Sequence, residues 1–342
     1  MLVLGIESSC DETAAAVISD DRRILSNVIL SQTNEHTAYG GVVPEVAARA
    51  HINHIEDVID KALAEANTTL ERIDAIAVTG GPGLIGGVIV GVMTAKALSS
   101  VHKKPYIAVN HLEGHALTVR LTNDIPFPYL LLLVSGGHCQ FLAVEGVGKY
   151  KKLGGTVDDA LGEAFDKVAK MLGLGYPGGP AVEQLARSGN ETAYKFPVPM
   201  KGREGCDFSF SGLKTAVRKC VMELEASGTL TEQAKADICA SFQYTVVQSL
   251  TDRAHHAIQT FRALHPEGKH FVLAGGVAAN QYIRGALQEV ISSYGLELVA
   301  PPIKLCTDNA AMIAWAGIEH LKLGNTSDMA FEPKARWPLA HG

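Results

Sequence analysis

Two histidines in the segment Asn110-His111-Leu112-Glu113-Gly114-His115 lie four residues apart, so on a helix they share one face and can share a metal ion. Such a pair leaves coordination positions open and calls for a carboxylate from elsewhere. Asp308, in Cys306-Thr307-Asp308-Asn309, is the candidate, which makes a site of two His and one Asp. The order differs from the zinc-protease motif, in which the Glu directly follows the first His and acts as general base. Glu113 comes one place later. At about 100° per residue it sits roughly 200° round the helix from His111, opposite the metal face. The competing reading is a pair of surface histidines that cap or pair locally, as a chain with 13 His can produce by chance.

A second concentration of reactive groups is Glu7-Ser8-Ser9-Cys10-Asp11-Glu12-Thr13, a polar turn between the apolar runs 2–7 and 14–18. Its acidic and hydroxyl groups exceed what a hairpin loop requires. They can approach a nucleotide phosphate through a bound cation or water, since carboxylates repel phosphate directly. His138, beside Gly137, can donate to a ligand oxygen or serve as a buried polar residue.

The elements that must position these groups are legible from periodicity. The 342 residues are 47% hydrophobic and 19% charged, the composition of a globular chain able to bury a large core in two domains. Six scattered Cys without a CxxC pair read as reduced thiols. The N-terminus lacks a basic leader and no apolar run reaches the roughly 18 residues of a membrane span, so the cytoplasm is expected. A net charge of −6 argues against indiscriminate nucleic-acid binding while allowing a local basic patch. The basic clusters Lys149-Tyr150-Lys151-Lys152, Lys201 with Arg203, and Lys214 with Arg218 and Lys219 read as solvated faces unless the fold brings them together.

Residues 43–66 have helical spacing, with Pro44 in the first turn and His51 and His54 expected on the solvated side. A strand at 73–79 enters Gly80-Gly81-Pro82-Gly83-Leu84-Ile85-Gly86-Gly87 and then an apolar helix to about Ser100. These glycines admit either a ligand or a neighbouring backbone, and the segment has neither a P-loop Lys nor the dinucleotide fingerprint. A strand at 105–109 delivers His111, and Asp124-Ile125-Pro126-Phe127-Pro128 has linker character. Beyond it, strand 129–134, the turn Ser135-Gly136-Gly137-His138 and strand 140–144 repeat the arrangement of residues 2–18. Phe271 to Asn280 mirrors residues 76–87 in turn, so two similar halves are expected to face a nucleotide cleft.

Six blocks in order, Gly5 to Thr13, His111 to His115, Val134 to His138, Phe165-Asp166-Lys167, Tyr176-Pro177-Gly178-Gly179-Pro180 and Cys306 to Asn309, together resemble the TsaD enzymes of tRNA threonylcarbamoyl-adenosine synthesis nearly end to end. The resemblance implies an α/β, two-lobed fold of the actin, hexokinase and heat-shock-70 type, built from two duplicated ribonuclease-H-like halves. The division expected is 1–124 for the N-terminal lobe with the His pair and 125–310 for the C-terminal lobe with the nucleotide turns. Residues 311–342 would form a helix and tail packing back on the first lobe.

The activity implied is transfer of a threonylcarbamoyl group from threonylcarbamoyl-AMP to N6 of the adenosine 3′ of the anticodon, in tRNAs that read codons beginning with A, releasing AMP. By resemblance His111, His115 and Asp308 hold one divalent ion per subunit, iron(II) or else zinc. Val134, Ser135, Gly136, Gly137, His138, Asp166, Gly179, Glu183 and Asn280 match the nucleotide-substrate contacts, although many members carry Asp at the position of Glu183 and Gly at that of Ala310. Asp11 or Glu12 is the expected proton acceptor, Asp11 preferred by resemblance, with Glu7 facing the lobe interior. The family pairs with a related inactive subunit of TsaB type through the region of helix 43–66, and with an ATPase of TsaE type. No membrane partner is expected. Two other classes share these features: a metalloprotease, which the position of Glu113 disfavours, and a chaperone-like ATPase, which uses the fold without the metal.

Overall fold

A computed structural model describes residues 1–37, 39 and 41–340. It divides into two compact units, Met1–Ile125 with the segment from Thr307 onward, and Pro126–Cys306.

In the first unit, strands β1 (Leu2–Glu7), β2 (Glu12–Ser19) and β3 (Ile24–Ser31) form an antiparallel meander, followed by helices α1 (Thr33–Thr37) and α2 (Pro44–Glu65). Strand β4 (Ala75–Gly81), helix α3 (Ile85–His102), strand β5 (Tyr106–Asn110) and helix α4 (His111–Thr122) complete it before the linker. The sheet order is β3-β2-β1-β4-β5, with β4 parallel to β1 and β5 parallel to β4.

The second unit repeats that plan. Strands β6 (Tyr129–Val134), β7 (Cys139–Gly146) and β8 (Lys149–Gly155) form its meander. Helices α5 (Leu161–Leu172), α6 (Gly178–Ala186), α7 (Ser211–Ala226) and α8 (Glu232–Leu264) precede β9 (His270–Ala274), α9 (Gln281–Ser293) and β10 (Glu297–Val299). Its sheet runs β8-β7-β6-β9-β10, with β9 parallel to β6 and β10 to β9, so the repeat expected from the strand-turn-strand pattern is a repeat of topology. The core gathers Leu130, Leu132, Phe141, Phe165, Phe242 and Phe271.

The chain returns to the first unit through helix α10 (Ala310–Lys322). Alternate residues of β1 face opposite ways: Leu4 and Ile6 pack with Val58, Ile59, Val88 and Val92 of α2 and α3, whereas Gly5 turns toward α10. A Cβ on Gly5 would lie 2.4 Å from the Ala310 carbonyl, and one on Gly317 would lie 2.5 Å from Ala77 Cβ. Helix α10 therefore rests on the sheet at backbone distance. This docking carries Thr307, Asp308 and Asn309 with it, so Asp308 belongs to the first unit and not to the second, as a division at 310 would have it.

Two further expectations change. His51 is fully buried on α2, not solvated, because it occupies the stripe Ala47, His51, Ile55, Val58, Ala62 that faces the sheet. Helix α3 is long and apolar enough to cross a membrane by length and composition. In the fold it packs on β4 and α2 through Gly87, Val88, Gly91, Val92 and Ala95.

A candidate metal and acyl-transfer site

Two helix starts bring the first site together. Asn110 caps α4, its side chain accepting from Leu112 N at 2.9 Å, which makes His111 the first helical residue and sets His115 one turn on. Asn309 caps α10 in the same way, accepting from Met312 N at 3.0 Å, and Asp308 immediately precedes it. The helices approach closely because residue 114 is Gly: a Cβ there would meet Ile313 Cδ1 at 2.9 Å.

Asp308 Oδ1 consequently lies 3.1 Å from His115 Nε2 and 3.4 Å from His111 Nε2, and one ligand atom from each of the three residues falls within 4.8 Å of the others. Behind them stands Glu7, at the carboxyl end of β1. Its Oε2 lies 3.0 Å from His111 Nδ1 and accepts from Thr79 Oγ1, while its Oε1 accepts from Ser9 N at 2.6 Å. With Nδ1–H donated to Glu7, His111 presents Nε2 toward Asp308, the tautomer a metal ligand requires.

Burial would push the Glu7 carboxyl up, yet the His111 ring against it holds it below its usual range. Burial would likewise depress His111, but Asp308 and Glu7 raise it well above an ordinary imidazole. Asp308 itself is held well below the carboxylate range: burial opposes this, and the two histidines prevail.

The turn after β1 adds Asp11, buried, and Glu12, half-buried. Burial first, then the charges of Asp308 and Asp11, push the Glu12 carboxyl up to about 9, and a side-chain hydrogen bond joins it to Asp11. Four carboxyl groups and two imidazoles thus meet at the carboxyl ends of β1 and β5. The donor set of two His and one Asp suits iron(II) or zinc, and the mutual repulsion recorded at Glu12 is what a divalent cation would relieve.

Glu113 is turned away. Its Oε2 lies 2.8 Å from His320 Nε2 near the end of α10, in agreement with its angular position and against a protease role. What sequence reasoning missed is the part played by Glu7, Ser9 and Thr79 behind His111. One signal was present: an ionisable residue closing the apolar run Leu2 to Ile6.

In the second unit the expected substrate contacts collect where β6 and β9 end. Val134 is buried and closes β6, and a Cβ on Gly275 would lie 2.3 Å from its carbonyl. The turn Ser135 to His138 is closed by Ser135 N to His138 O at 2.7 Å and His138 N to Ser135 Oγ at 3.1 Å. Gly162, early in α5, packs directly beneath it, and a Cβ on Gly162 would lie only 2.8 Å from Gly136 Cα. Cβ atoms on Gly136, Gly137 or Gly179 would meet nothing within 4 Å.

The polar members of the set have internal tasks. Asp166 Oδ1 accepts from Gly178 N at 2.8 Å, and Glu183 Oε1 accepts from Gln281 N at 2.9 Å. Asn280 caps α9 by accepting from Ile283 N at 3.0 Å and donates to Gln243 Oε1 at 2.8 Å. The basic clusters divide: Lys214 pairs with Asp159 and Lys219 lies 3.8 Å from Glu223, whereas Arg203 lines an apolar cavity of about 490 Å³ with Pro197, Pro199 and Met200.

Comparison with known proteins agrees with this geometry. A model of the family described as TsaD, tRNA N6-adenosine threonylcarbamoyltransferase, matches residues 23–315. Proteins carrying that description are 62% identical in Rhodospirillum rubrum, covering 98% of this chain and 94% of that one, and 58% identical in Paramagnetospirillum magneticum, covering 99% and 97%. Among solved structures, component A of (R)-2-hydroxyglutaryl-CoA dehydratase from Acidaminococcus fermentans superposes with a TM-score of 0.53 at 17% identity, covering 92% of this chain and 96% of that one. Full-length HypF gives 0.61 at 15%, covering 95% and 47%, and these two establish the fold alone, that of the actin, hexokinase and heat-shock-70 class. The chain belongs to the tRNA N6-adenosine threonylcarbamoyltransferases, acyltransferases that modify N6 of a tRNA adenosine.

Proposed function

We propose that the donor is threonylcarbamoyl-AMP and the acceptor the adenosine 3′ of the anticodon in tRNAs reading codons that begin with A. The observation that carries this reading is the convergence of His111, His115 and Asp308, with Glu7 fixing the His111 ring and the Asp11–Glu12 pair on the adjoining turn. His111, His115 and Asp308 hold one divalent ion, iron(II) or zinc, which when bound supplies a Lewis acid for the oxygens of the donor's acyl-phosphate.

The adenine amine is a poor nucleophile because its lone pair is delocalised into the ring. Asp11 takes up its proton as the bond from N6 to the carbamoyl carbon forms and the bond from that carbon to the phosphate oxygen breaks, releasing AMP. Glu12, hydrogen-bonded to Asp11, keeps that carboxylate in place. Val134 to His138, Asp166, Gly179, Glu183 and Asn280 provide the adenylate's surroundings, and the open space over Gly136, Gly137 and Gly179 supports a close approach of ligand to backbone there.

An inactive subunit of TsaB type docks on α2 and α3. Ile52, Ile85, Ile89 and Met93 on these two helices are exposed large apolar residues, which supports that reading. An ATPase subunit of TsaE type completes the complex, in the cytoplasm.

The test is calorimetric titration of threonylcarbamoyl-AMP and of ATP, each with the metallated and the chelated protein. Neither Ser135-Gly136-Gly137-His138 nor Ala274-Gly275-Gly276-Val277 offers a Lys to balance a triphosphate. The adenylate is expected to bind more tightly than ATP, and chelation to abolish most of the difference. Tighter ATP binding, or indifference to the metal, overturns the assignment. Metal analysis of His111→Ala, expected to lose the ion while remaining folded, checks the ligand set independently.

A further inference from the structure

A buried polar chain joins the start of α2 to the turn that bears Asp11 and Glu12. His36, Gln32, His51 and Thr13 are each at most 1% exposed. His51 Nε2 lies 3.0 Å from the Cys10 carbonyl, which can only accept, so Nε2 carries the proton and Nδ1 must accept. Two donors face Nδ1: Thr13 Oγ1 at 2.8 Å and Gln32 Nε2 at 3.3 Å. Gln32 Oε1 in turn accepts from His36 Nε2 at 3.3 Å, and His36 Nδ1 accepts from Val43 N, the capping residue of α2, at 3.3 Å. Every direction in the chain is fixed by its two ends, a backbone N–H and a backbone C=O. The His51 ring is neutral, its burial lowering it below an ordinary imidazole.

The turn has limited freedom to compensate for loss of this contact. Gly83 and Gly87 hold α3 against the Ser9 and Ser8 carbonyls, and a Cβ on Gly87 would also lie 2.9 Å from the His51 ring. The Cys10 carbonyl is thus the point at which α2 grips the turn, one residue before Asp11.

We propose that His51 is a positioning residue for the transfer reaction: through the Cys10 carbonyl and Thr13 it aims the Asp11–Glu12 pair, and its tautomer is set by the chain from Val43. This rests on the assignment of Asp11 and Glu12 as the proton-accepting pair. A buried hydrogen-bonded network of this kind holds one arrangement because any break leaves a buried polar group unpaired. A misplacement of about 1 Å at a reacting group can cost on the order of 100-fold in rate.

The experiment is steady-state transfer to tRNA by the full chain, metallated and with its partner subunits. His51→Leu fills the space without either hydrogen bond, and His51→Gln restores an amide N–H close to the position of Nε2. His51→Leu is expected to lower kcat by roughly 10- to 100-fold with KM for both substrates and metal content unchanged, and His51→Gln to recover most of the loss. In an Asp11→Ala, Glu12→Gln background the Leu substitution should cost nothing further, because its effect passes through those carboxyls. Full activity of His51→Leu, or a loss that recurs undiminished in that background, overturns the proposal. If the carboxyl double variant itself transfers at the parent rate, it is the underlying assignment that fails, which separates the two. Should the Leu variant not fold, Thr13→Val, which removes one donor to Nδ1, carries the same cycle, with His51→Gln as its near-parent control.

Discussion

Two sets of glycines, one in each unit, differ in what surrounds them. In the first, Cβ atoms on Gly83, Gly87 and Gly91 would lie 2.5 Å from the Ser9 carbonyl, 2.3 Å from the Ser8 carbonyl and 2.3 Å from Ser8 Oγ. In the second, Cβ atoms on Gly136, Gly137 and Gly179 would meet nothing within 4 Å, and none of these three has a positive φ. The first set is glycine because protein is there. The second set has no steric reason within the fold to be glycine, and the proposed approach of the adenylate to the backbone would supply one. The contrast separates a closely packed site, rich in charge, from glycines with open space over them.

The most damaging way to test the contrast is to add one methyl group to the clamped side. Gly87→Ala forces α3 off the Ser8 carbonyl, and overpacking of this kind typically costs about 1–3 kcal/mol. We expect a lower melting temperature together with weakened metal binding, since the turn that moves adjoins Glu7. A variant as stable as the parent would mean that α3 has room to shift. Next in size is Glu7→Gln, which keeps the shape but weakens the acceptor for His111 Nδ1–H. Loss of such a partner typically lowers metal affinity by about 10- to 100-fold. Competition with a chelator should find this drop; an unaltered affinity would remove Glu7 from the site.

The same methyl on the open side should behave oppositely. Gly137→Ala is expected to melt within about 0.5 kcal/mol of the parent and to bind threonylcarbamoyl-AMP about tenfold more weakly, a difference of roughly 1.4 kcal/mol. Normal donor binding by that variant would leave its glycine unexplained.

The sequence carried one side of this contrast better than the other. Strands and their repetition were readable because β4 and β6 are buried throughout their lengths and β1 from Val3 to Glu7. The His pair followed from helical spacing. Asp308 entered as a partner for that pair, but the physical reason it reaches His115, the docking of α10 on Gly5 and Ala77, lies in contacts between residues far apart in the chain that no local pattern records. The glycines of 80–87 stayed ambiguous for the same cause: a residue without a side chain does not say what occupies the space. His51 was misread because its polarity outweighed its place at four-residue spacing from Ala47 and Ile55, where the stripe itself was informative. Glu7 was expected to face inward, and does; that an inward carboxylate must have a partner was the step that would have found His111.

The smallest effect expected concerns the face of α4 opposite the metal ligands. His320 Nε2 and Glu113 Oε2 form a pair 2.8 Å apart with side-chain exposures of 17% and 6%. Burial alone would lower the His320 imidazole, but the hydrogen bond and charge of Glu113, with Glu319 adding, raise it above its ordinary 6.5. The unfolded chain has no such pair, so the folded state binds the proton more tightly. The stabilisation is complete below the unfolded value and is lost as pH rises through the raised folded one. The metal-free parent should therefore lose a few degrees of melting temperature across that interval relative to His320→Gln, whose amide donates to Glu113 at every pH. The metal-free form is the right one to compare, because binding at the ligands one turn away would add its own pH dependence. Parallel melting curves for the two proteins over that range would show that the pair is neutral in the fold.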